Sequence, residues 1–236
     1  MKPFMILLTS IFMLSGCAKQ PENPLLADWD TPFETPPFNL IEDQHFMPAY
    51  EVAMKAEMAE VQAIIDNPEA PNFQNTVEAL EKSGKLLSRI DRVFGCLNGA
   101  NTNDSLQSVS KRLAPLLSKH SDDIYLNDKL FARIKAVYED KDNLNLTDEQ
   151  LTLLDNFYKG FVRSGAGLDE ADKQILRGIN EELSNLYVRF RQNHLAQTNA
   201  IGLVIENKAD LAGLSDEVIS AAAELAKNRE MEGKWA

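Results

Sequence analysis

The chain has few residues with which to hold a metal. Its three histidines, His45, His120 and His194, stand more than 70 residues apart. A zinc site needs three or four nitrogen, sulfur or carboxylate ligands that converge. Neither His-Glu-x-x-His nor any two histidines four residues apart occur. Single scattered histidines are expected to be packing or surface residues, and His194, on an apolar helical face, is expected to be a hydrogen-bonded core residue. No catalytic and no metal-binding residue is expected within these 236 residues. Cysteine is equally scarce. Cys17 and Cys96 allow one disulfide at most. Cys96 lies in Val93-Phe94-Gly95-Cys96-Leu97, an apolar setting that predicts a buried, inert thiol.

Positive charge is also in short supply. Lysine and arginine total 24 against 36 aspartate and glutamate, a net charge of −12. Nucleic acid needs a basic face for its phosphates, so that partner is excluded. A pI near 4.8 argues against attraction to anionic lipid. No apolar run is long enough to span a bilayer, which takes about 20 residues. A hydrophobic content of 44% is nevertheless too high for a disordered acidic tail.

Other motifs fail on their spacing. Asp140-Lys141-Asp142-Asn143-Leu144-Asn145 begins like a calcium loop. It then places Leu144 fifth, Asn145 sixth in place of glycine, and Leu151 twelfth in place of glutamate. Gly165-Ala166-Gly167 lacks the third glycine and the preceding strand of a dinucleotide loop. Ser164 lacks the flanking glycines of a nucleophile elbow. Asp122-Asp123 and Glu181-Glu182 are sequence neighbours that diverge on a helix, so they are expected on a solvated face.

The N-terminus carries a clear signal. Lys2 is followed by an apolar run from Phe4 to Leu14, too short to span and suited to a secretory signal. Leu14-Ser15-Gly16-Cys17 resembles a bacterial lipobox, in which peptidase cleavage precedes a cysteine that receives diacylglycerol. That resemblance implies a lipoprotein signal peptide over residues 1–16, lipidation at Cys17 and attachment in the bacterial cell envelope, facing the periplasm or the cell exterior. Residues 17–45 then form a proline-rich tether, since Pro21, Pro24, Pro32, Pro36 and Pro37 fix φ and remove amide donors. Trp29, Phe33 and Phe38 are expected to bring its second half onto the folded body.

From residue 46 onward the period is helical and the expected fold class is mainly α. Helices are predicted from about 46 to 65, from a cap at Asn75 or Thr76 with a kink at Gly84, from 104 to 120 with a bend or break at Pro115, and from 127 to 139. A fifth begins at the Thr147 cap and ends near Ser164-Gly165. A long central helix is predicted over 169–200, its core face formed by Leu176, Ile179, Leu183, Leu186, Tyr187, Phe190 and His194. One short strand is expected at 201–205, and a last helix at 216–228. Trp235 looks like the start of a second strand. Neither strand has an evident partner, which predicts a chain that stops inside a larger fold.

Three segments together resemble a family, the thimet oligopeptidase and peptidyl-dipeptidase group of zinc metallopeptidases, and within it the bacterial dipeptidyl carboxypeptidases. They are His45-Phe46-Met47-Pro48-Ala49, then Pro71 to Glu81 with Ser83-Gly84 and Val93-Phe94, then Phe161-Val162-Arg163-Ser164-Gly165-Ala166 with Ile179-Asn180, Leu183-Ser184, Leu186, Phe190 and Asn193. Leu211 to Leu214 and Gly233-Lys234-Trp235 also fit. The resemblance runs from about residue 24 to the end and implies the N-terminal helical domain, 46–236, of such an enzyme. It implies zinc in the complete protein, bound by a His-Glu-x-x-His half that this chain does not contain. It also implies short peptides as substrates, losing dipeptides from their C-terminus, and a chain that is inactive alone and monomeric. The rival reading is a non-catalytic helical lipoprotein that binds a peptide or a partner protein.

Overall fold

The computed structural model describes residues 23–236. The signal-peptide segment and the lipidation site Cys17 lie outside the described residues. Local chemistry sets most helix starts. The first helix, α1 (Phe46–Ile65), follows a single 3-10 turn at Asp43–His45. Asn72 then caps a π-helical turn (Phe73–Glu78), accepting from the Asn75 amide while Asn75 Oδ1 accepts from the Asn72 amide. This reciprocal cap sits three residues before the expected Asn75 cap. The turn runs into a three-residue α2 (Ala79–Glu81).

At Gly84 the chain breaks rather than kinks. Its φ of +67° is left-handed, a conformation glycine adopts at little cost, and α3 (Lys85–Ala100) starts anew. The Glu60 carboxylate accepts from the Gly84 amide at 2.8 Å, and the Glu57 carboxylate occupies the space a Cβ would need.

Three helices then start on side-chain caps. Asn103 caps α4 (Asp104–Tyr125), Asn127 caps α5 (Asp128–Glu139) and Thr147 caps α6 (Asp148–Arg163), the last in a capping box with Gln150. α4 continues through Pro115 as one 22-residue helix, so the predicted break does not occur and the helix ends five residues later than expected. Asp169 caps α7 (Glu170–Ala200) and Ser215 caps α8 (Asp216–Asn228). Among the described residues, seven of these helices have twelve residues or more, and the chain is mainly α.

The turn from α6 into α7 is a Schellman motif. The Ala166 amide donates to Phe161 O at 3.0 Å and the Gly165 amide to Val162 O at 3.2 Å, with Gly165 at φ +92°. Phe161 and Ala166 are both buried in the same cluster, which supplies the accompanying apolar contact.

Three apolar clusters hold the body together. In the first, Phe46, Tyr50 and Ala53 of α1 meet Ile90 and Phe94 of α3 and Leu106 and Leu113 of α4. The second joins Val61 and Ile64 to Leu130 and Ile134 of α5 and Phe161 of α6. The third sets Phe73 and Val77 of the π-turn against Val137 and Leu154. Leu25 is wholly buried in the first cluster, with Leu26, Trp29 and Ile41 against it. Arg89 fastens this segment by donating to Leu25 O and Ala27 O and lying over the Trp29 ring. Phe33 is fully exposed and Phe38 partly so, so of the three aromatics expected to pack, only Trp29 does.

No strand forms at 201–205. Ile205 alone makes an isolated antiparallel bridge, and its partner is Trp235. The Ile205 amide donates to Trp235 O at 2.8 Å and the Trp235 amide returns to Ile205 O at 3.0 Å. Lys234 pairs with Glu206, and the Ala236 amide donates to Ala222 O at 3.0 Å. The two segments expected to be unpartnered thus pair with each other across α8, which removes the unpaired strands as a reason for reading a chain that stops within a larger fold.

Candidate functional site

The three histidines do different things in different places. His120 is buried on α4 and its Nε2 lies 2.7 Å from the Glu57 carboxylate of α1. His45 accepts through Nδ1 from the Glu42 amide. His194 is exposed near the end of α7, its ring 6.4 Å from Phe190, and not the buried core residue that its spacing predicts. Cys96 is exposed as well, contrary to the buried thiol expected of its apolar neighbours. It falls outside the α3 face that carries the buried Ile90, Val93 and Phe94. Among the described residues, no three His, Cys, Asp or Glu side chains converge as metal ligands would. The donor set that zinc requires is not assembled by these residues, so no chemical step through zinc is derived from them.

What the structure does build is an unusual helix. α7 is 31 residues long, about 46 Å at 1.5 Å per residue. It packs along α4. The side facing α4 is largely polar. Lys173 donates to Leu126 O at 3.1 Å and pairs with Asp128, clamping the corner between α4 and α5. There it meets the carbonyl end of one helix and the first turn of the next, where a cation and an anion are each favoured by the helix dipole. Arg177 pairs with Asp123 at 2.8 Å and donates to Asp122 O at 3.3 Å. Asn180 donates to the Asp122 carboxylate at 2.7 Å, and Gln192 donates to Gln107 O at 3.2 Å.

Asp122 is buried rather than solvated. Burial holds its carboxyl above the usual carboxylate range, against the opposing pull of the Asn180 bond and of Arg177. Nearby, burial also raises the Tyr125 phenol, with the Glu57 and Glu81 carboxylates adding to it.

The apolar side of α7 points away from the body. Ile175, Ile179, Leu183, Leu186 and Phe190 are between 45% and 68% exposed. They recur at four, four, three and four residues and so lie on one face. Of the 31 residues only Lys173 is buried, whereas the 20-residue α1 buries seven. No residue of α7 belongs to any of the three apolar clusters. Of the core face expected for this helix, Leu176 is half-buried at the Gly165 turn, whereas Ile179, Leu183, Leu186, Tyr187, Phe190 and His194 face outward.

Hollows flank the stripe. One of about 380 Å³ lies between the α3–α4 corner and the end of α7, lined among others by Asn98, Gln107, Phe190 and His194. Another, about 490 Å³, is lined by Asp122, Tyr125, Leu183 and Tyr187. The sequence held one sign of this orientation. Lys173, Arg177, Asn180, Ser184 and Gln192 form a second helical stripe of polar residues beside the apolar one. Which of two stripes faces the body is decided by tertiary partners on α4.

No family model matches the chain. The dipeptidyl carboxypeptidase of Salmonella typhimurium is 42% identical over 213 residues, which is 90% of this chain and 31% of that protein. That of Escherichia coli is 39% identical over 213 residues, with the same shares of the two chains. The chain is related to the N-terminal part of this peptidase family. Oligopeptidase A of Salmonella typhimurium is 28% identical over 211 residues, covering 89% of this chain and 30% of its own. The chain therefore spans about a third of the length of the curated dipeptidyl carboxypeptidases and oligopeptidases it matches.

The segments that carried the family resemblance lie mostly at structural turning points. Phe46 and Ala49 anchor α1, Phe73, Thr76 and Val77 bury the π-turn, and Phe161 to Ala166 close α6. The segment from Ile179 to Phe190 is the exception, because it is the exposed stripe.

Proposed function

We propose that this chain supplies the helical N-terminal part of a lipid-anchored zinc oligopeptidase of the peptidyl-dipeptidase kind. The observation that carries the reading is the 42% identity to a dipeptidyl carboxypeptidase along 90% of the chain. In the complete protein a zinc ion held by other residues would polarise the scissile carbonyl and activate water. The residues described here would contribute a rigid helical wall beside the peptide, and the 236 residues alone would release no dipeptide. The anchor would be a lipid on Cys17, holding the protein in the bacterial cell envelope. Several acyl chains are needed for firm attachment, since each buried methylene adds about 0.8 kcal/mol. Substrates would be short peptides, the assembled protein a monomer, and nucleic acid no partner.

The test is a chimera in which residues 23–236 replace the matched third of the Salmonella dipeptidyl carboxypeptidase. Release of dipeptides from a blocked short peptide by the chimera, and none by this chain alone, supports the reading. A folded but inactive chimera, or peptidase activity and bound zinc in this chain alone, rejects it. Cys17→Ser should release the protein from membranes or leave its signal uncleaved. Unchanged fractionation and unchanged mature size would remove the lipid anchor from the proposal.

The second reading is a non-catalytic helical lipoprotein that binds a peptide or a partner protein. That reading gains ground if the chimera fails and the chain alone captures short peptides.

A further inference from the structure

A lipid on Cys17 would leave very little free chain between membrane and body. Asn23 is already tied down, its side chain donating to His45 O at 2.8 Å and accepting from the Leu25 amide at 3.0 Å. Leu25 is wholly buried, and Arg89 of α3 donates to Leu25 O and Ala27 O. Of the residues expected to form a tether, those from 23 onward are thus fastened beside the first turns of α1 and α3. Six residue steps separate Cys17 from Asn23. At no more than about 3.6 Å per residue they reach about 22 Å at most. α1 alone, with 20 residues, is about 30 Å long. The tether is shorter than the body, so the end of the body that carries Asn23 must lie next to the bilayer.

The loop 31–40 stands at that same end. Arg89, which fastens Leu25, also lines a hollow of about 790 Å³ together with Trp29, Phe33 and Pro36. Phe33 is fully exposed, and Phe38 and Leu40 are partly so. Phe33 and Glu34 have φ of +60° and +53°, a left-handed backbone that a bulky residue adopts only under strain. The strained turn holds an aromatic ring out in water, where apolar surface is unfavourable. Phenylalanine and leucine settle readily at the boundary between headgroups and acyl chains. Charge does not select the lipid. Lys85, Arg89 and Arg92 around the hollow are balanced by Asp28, Glu34 and Glu81, and the whole chain carries −12. The surface that fits is therefore a zwitterionic one, met by apolar contact.

We propose that the loop 31–40 is a membrane-contact surface, with Phe33, Phe38 and Leu40 resting in the lipid interface of the bilayer that holds the anchor. This rests on the lipid at Cys17 in the proposed function. Three apolar side chains bind a bilayer only weakly by themselves. A short tether changes that, because a second contact within reach of the first is intramolecular and meets an effective concentration in the millimolar range. The lipid and the loop then hold the body at two points, so that it lies on the membrane in one orientation. The turn at Asp142, which follows α5, is far from this contact. It lies towards the other end of α1, whose Val61 and Ile64 pack on Leu130 and Ile134 of α5.

The test couples the mature chain, residues 17–236 with Cys96→Ser, to phosphatidylcholine vesicles through a maleimide lipid on the Cys17 thiol. Anchoring then does not depend on processing in the cell. One variant carries Phe33→Trp and another Asp142→Trp, both at exposed positions. Emission is compared between vesicles with plain acyl chains and vesicles with brominated ones, whose bromines quench on contact. The expected result is loss of the fluorescence added by the tryptophan at position 33 and no loss of that added at position 142. No loss at position 33, or equal loss at both positions, overturns the membrane contact and leaves the proposed anchor standing. Escape from the bromines together with a dimer in sedimentation would assign the loop to a second copy of this chain and also overturn the contact. The anchor is judged separately, by the fractionation of Cys17→Ser in cells. If that variant fractionates like the unsubstituted chain, the anchor is rejected and the contact falls with it.

Discussion

The side-chain amide of Asn180 donates to the buried Asp122 carboxylate at 2.7 Å, and this bond helps to fix which side of α7 faces the body. With Arg177 on Asp123 one turn away, it turns the helix so that Leu183 and Leu186, its apolar neighbours, point out. The orientation of the longest helix thus follows from a few polar partners, and hydrophobic periodicity alone would orient it the other way.

Leu183→Asp separates these two orientations. A charge placed in a core costs several kcal/mol, whereas a charge at an exposed position away from special features changes stability by about 0.5 kcal/mol or less. Leu183 is 45% exposed, so the expected change in the urea midpoint is small. Phe161→Ala is the contrasting case. Phe161 is wholly buried and stacks near Tyr125 and Phe131, and its truncation should cost about 3–5 kcal/mol. A large loss in the Leu183 variant would mean that its face is inside.

Asp122 should make stability depend on pH in an unusual direction. Most native carboxylates are held below their ordinary range and lose stability in acid. Burial holds Asp122 above its ordinary value, so the folded state retains its proton to higher pH than the unfolded chain does. Its contribution is therefore fully present below the ordinary aspartate range and is lost as pH rises through the raised folded value. Asp122→Asn keeps the size and an acceptor for Asn180 while removing the titration. Relative to the unsubstituted chain, the variant should gain stability as pH rises through that window. Equal pH profiles for the two proteins in chemical denaturation would contradict this.

Gly165→Ala should destabilise the turn between α6 and α7. The φ of +92° is strained for any residue with a Cβ, and an added methyl would lie 2.6 Å from Leu176 Cδ2. The left-handed backbone alone costs about 1–2 kcal/mol. A fall of at least that size in unfolding free energy is expected, whereas Gly167→Ala, with open space around it, should cost less. Equal effects at the two positions would mean that the close approach to Leu176 does not exist in solution.

The sequence made the helices legible where short-range chemistry decides them. Asn127 and Thr147 announced α5 and α6, and Asp169 and Ala200 bounded α7 to within a residue. What it hid depended on distant partners. The break at Gly84 is stabilised by Glu60 from another helix, and the single bridge at Ile205 needs Trp235, 30 residues away. Pro115 looked like a breaker, yet α4 runs through it with Leu113 and His120 buried on either side. The exposed stripe was visible as a pattern. Its direction was not, because the polar stripe that competes with it finds partners only once α4 lies beside it. The histidines follow the same rule: His120 finds Glu57 across 63 residues, and His194 is exposed at the end of a face that points outward.

The most direct measurement is the labelling pattern along α7 in the isolated chain. With Cys17 and Cys96 replaced by serine, single cysteines are placed in turn at Ile179, Asn180, Leu183, Ser184 and Leu186, and their rates with a soluble maleimide are read. Access governs the rate when the thiols are otherwise alike. The structure predicts fast labelling at Ile179, Leu183 and Leu186, and slower labelling at Asn180, which bonds Asp122 on α4, and at the half-buried Ser184. Fast labelling at Asn180 and Ser184 with protection at Ile179, Leu183 and Leu186 would contradict the polar attachment of α7 and the open apolar face that follows from it.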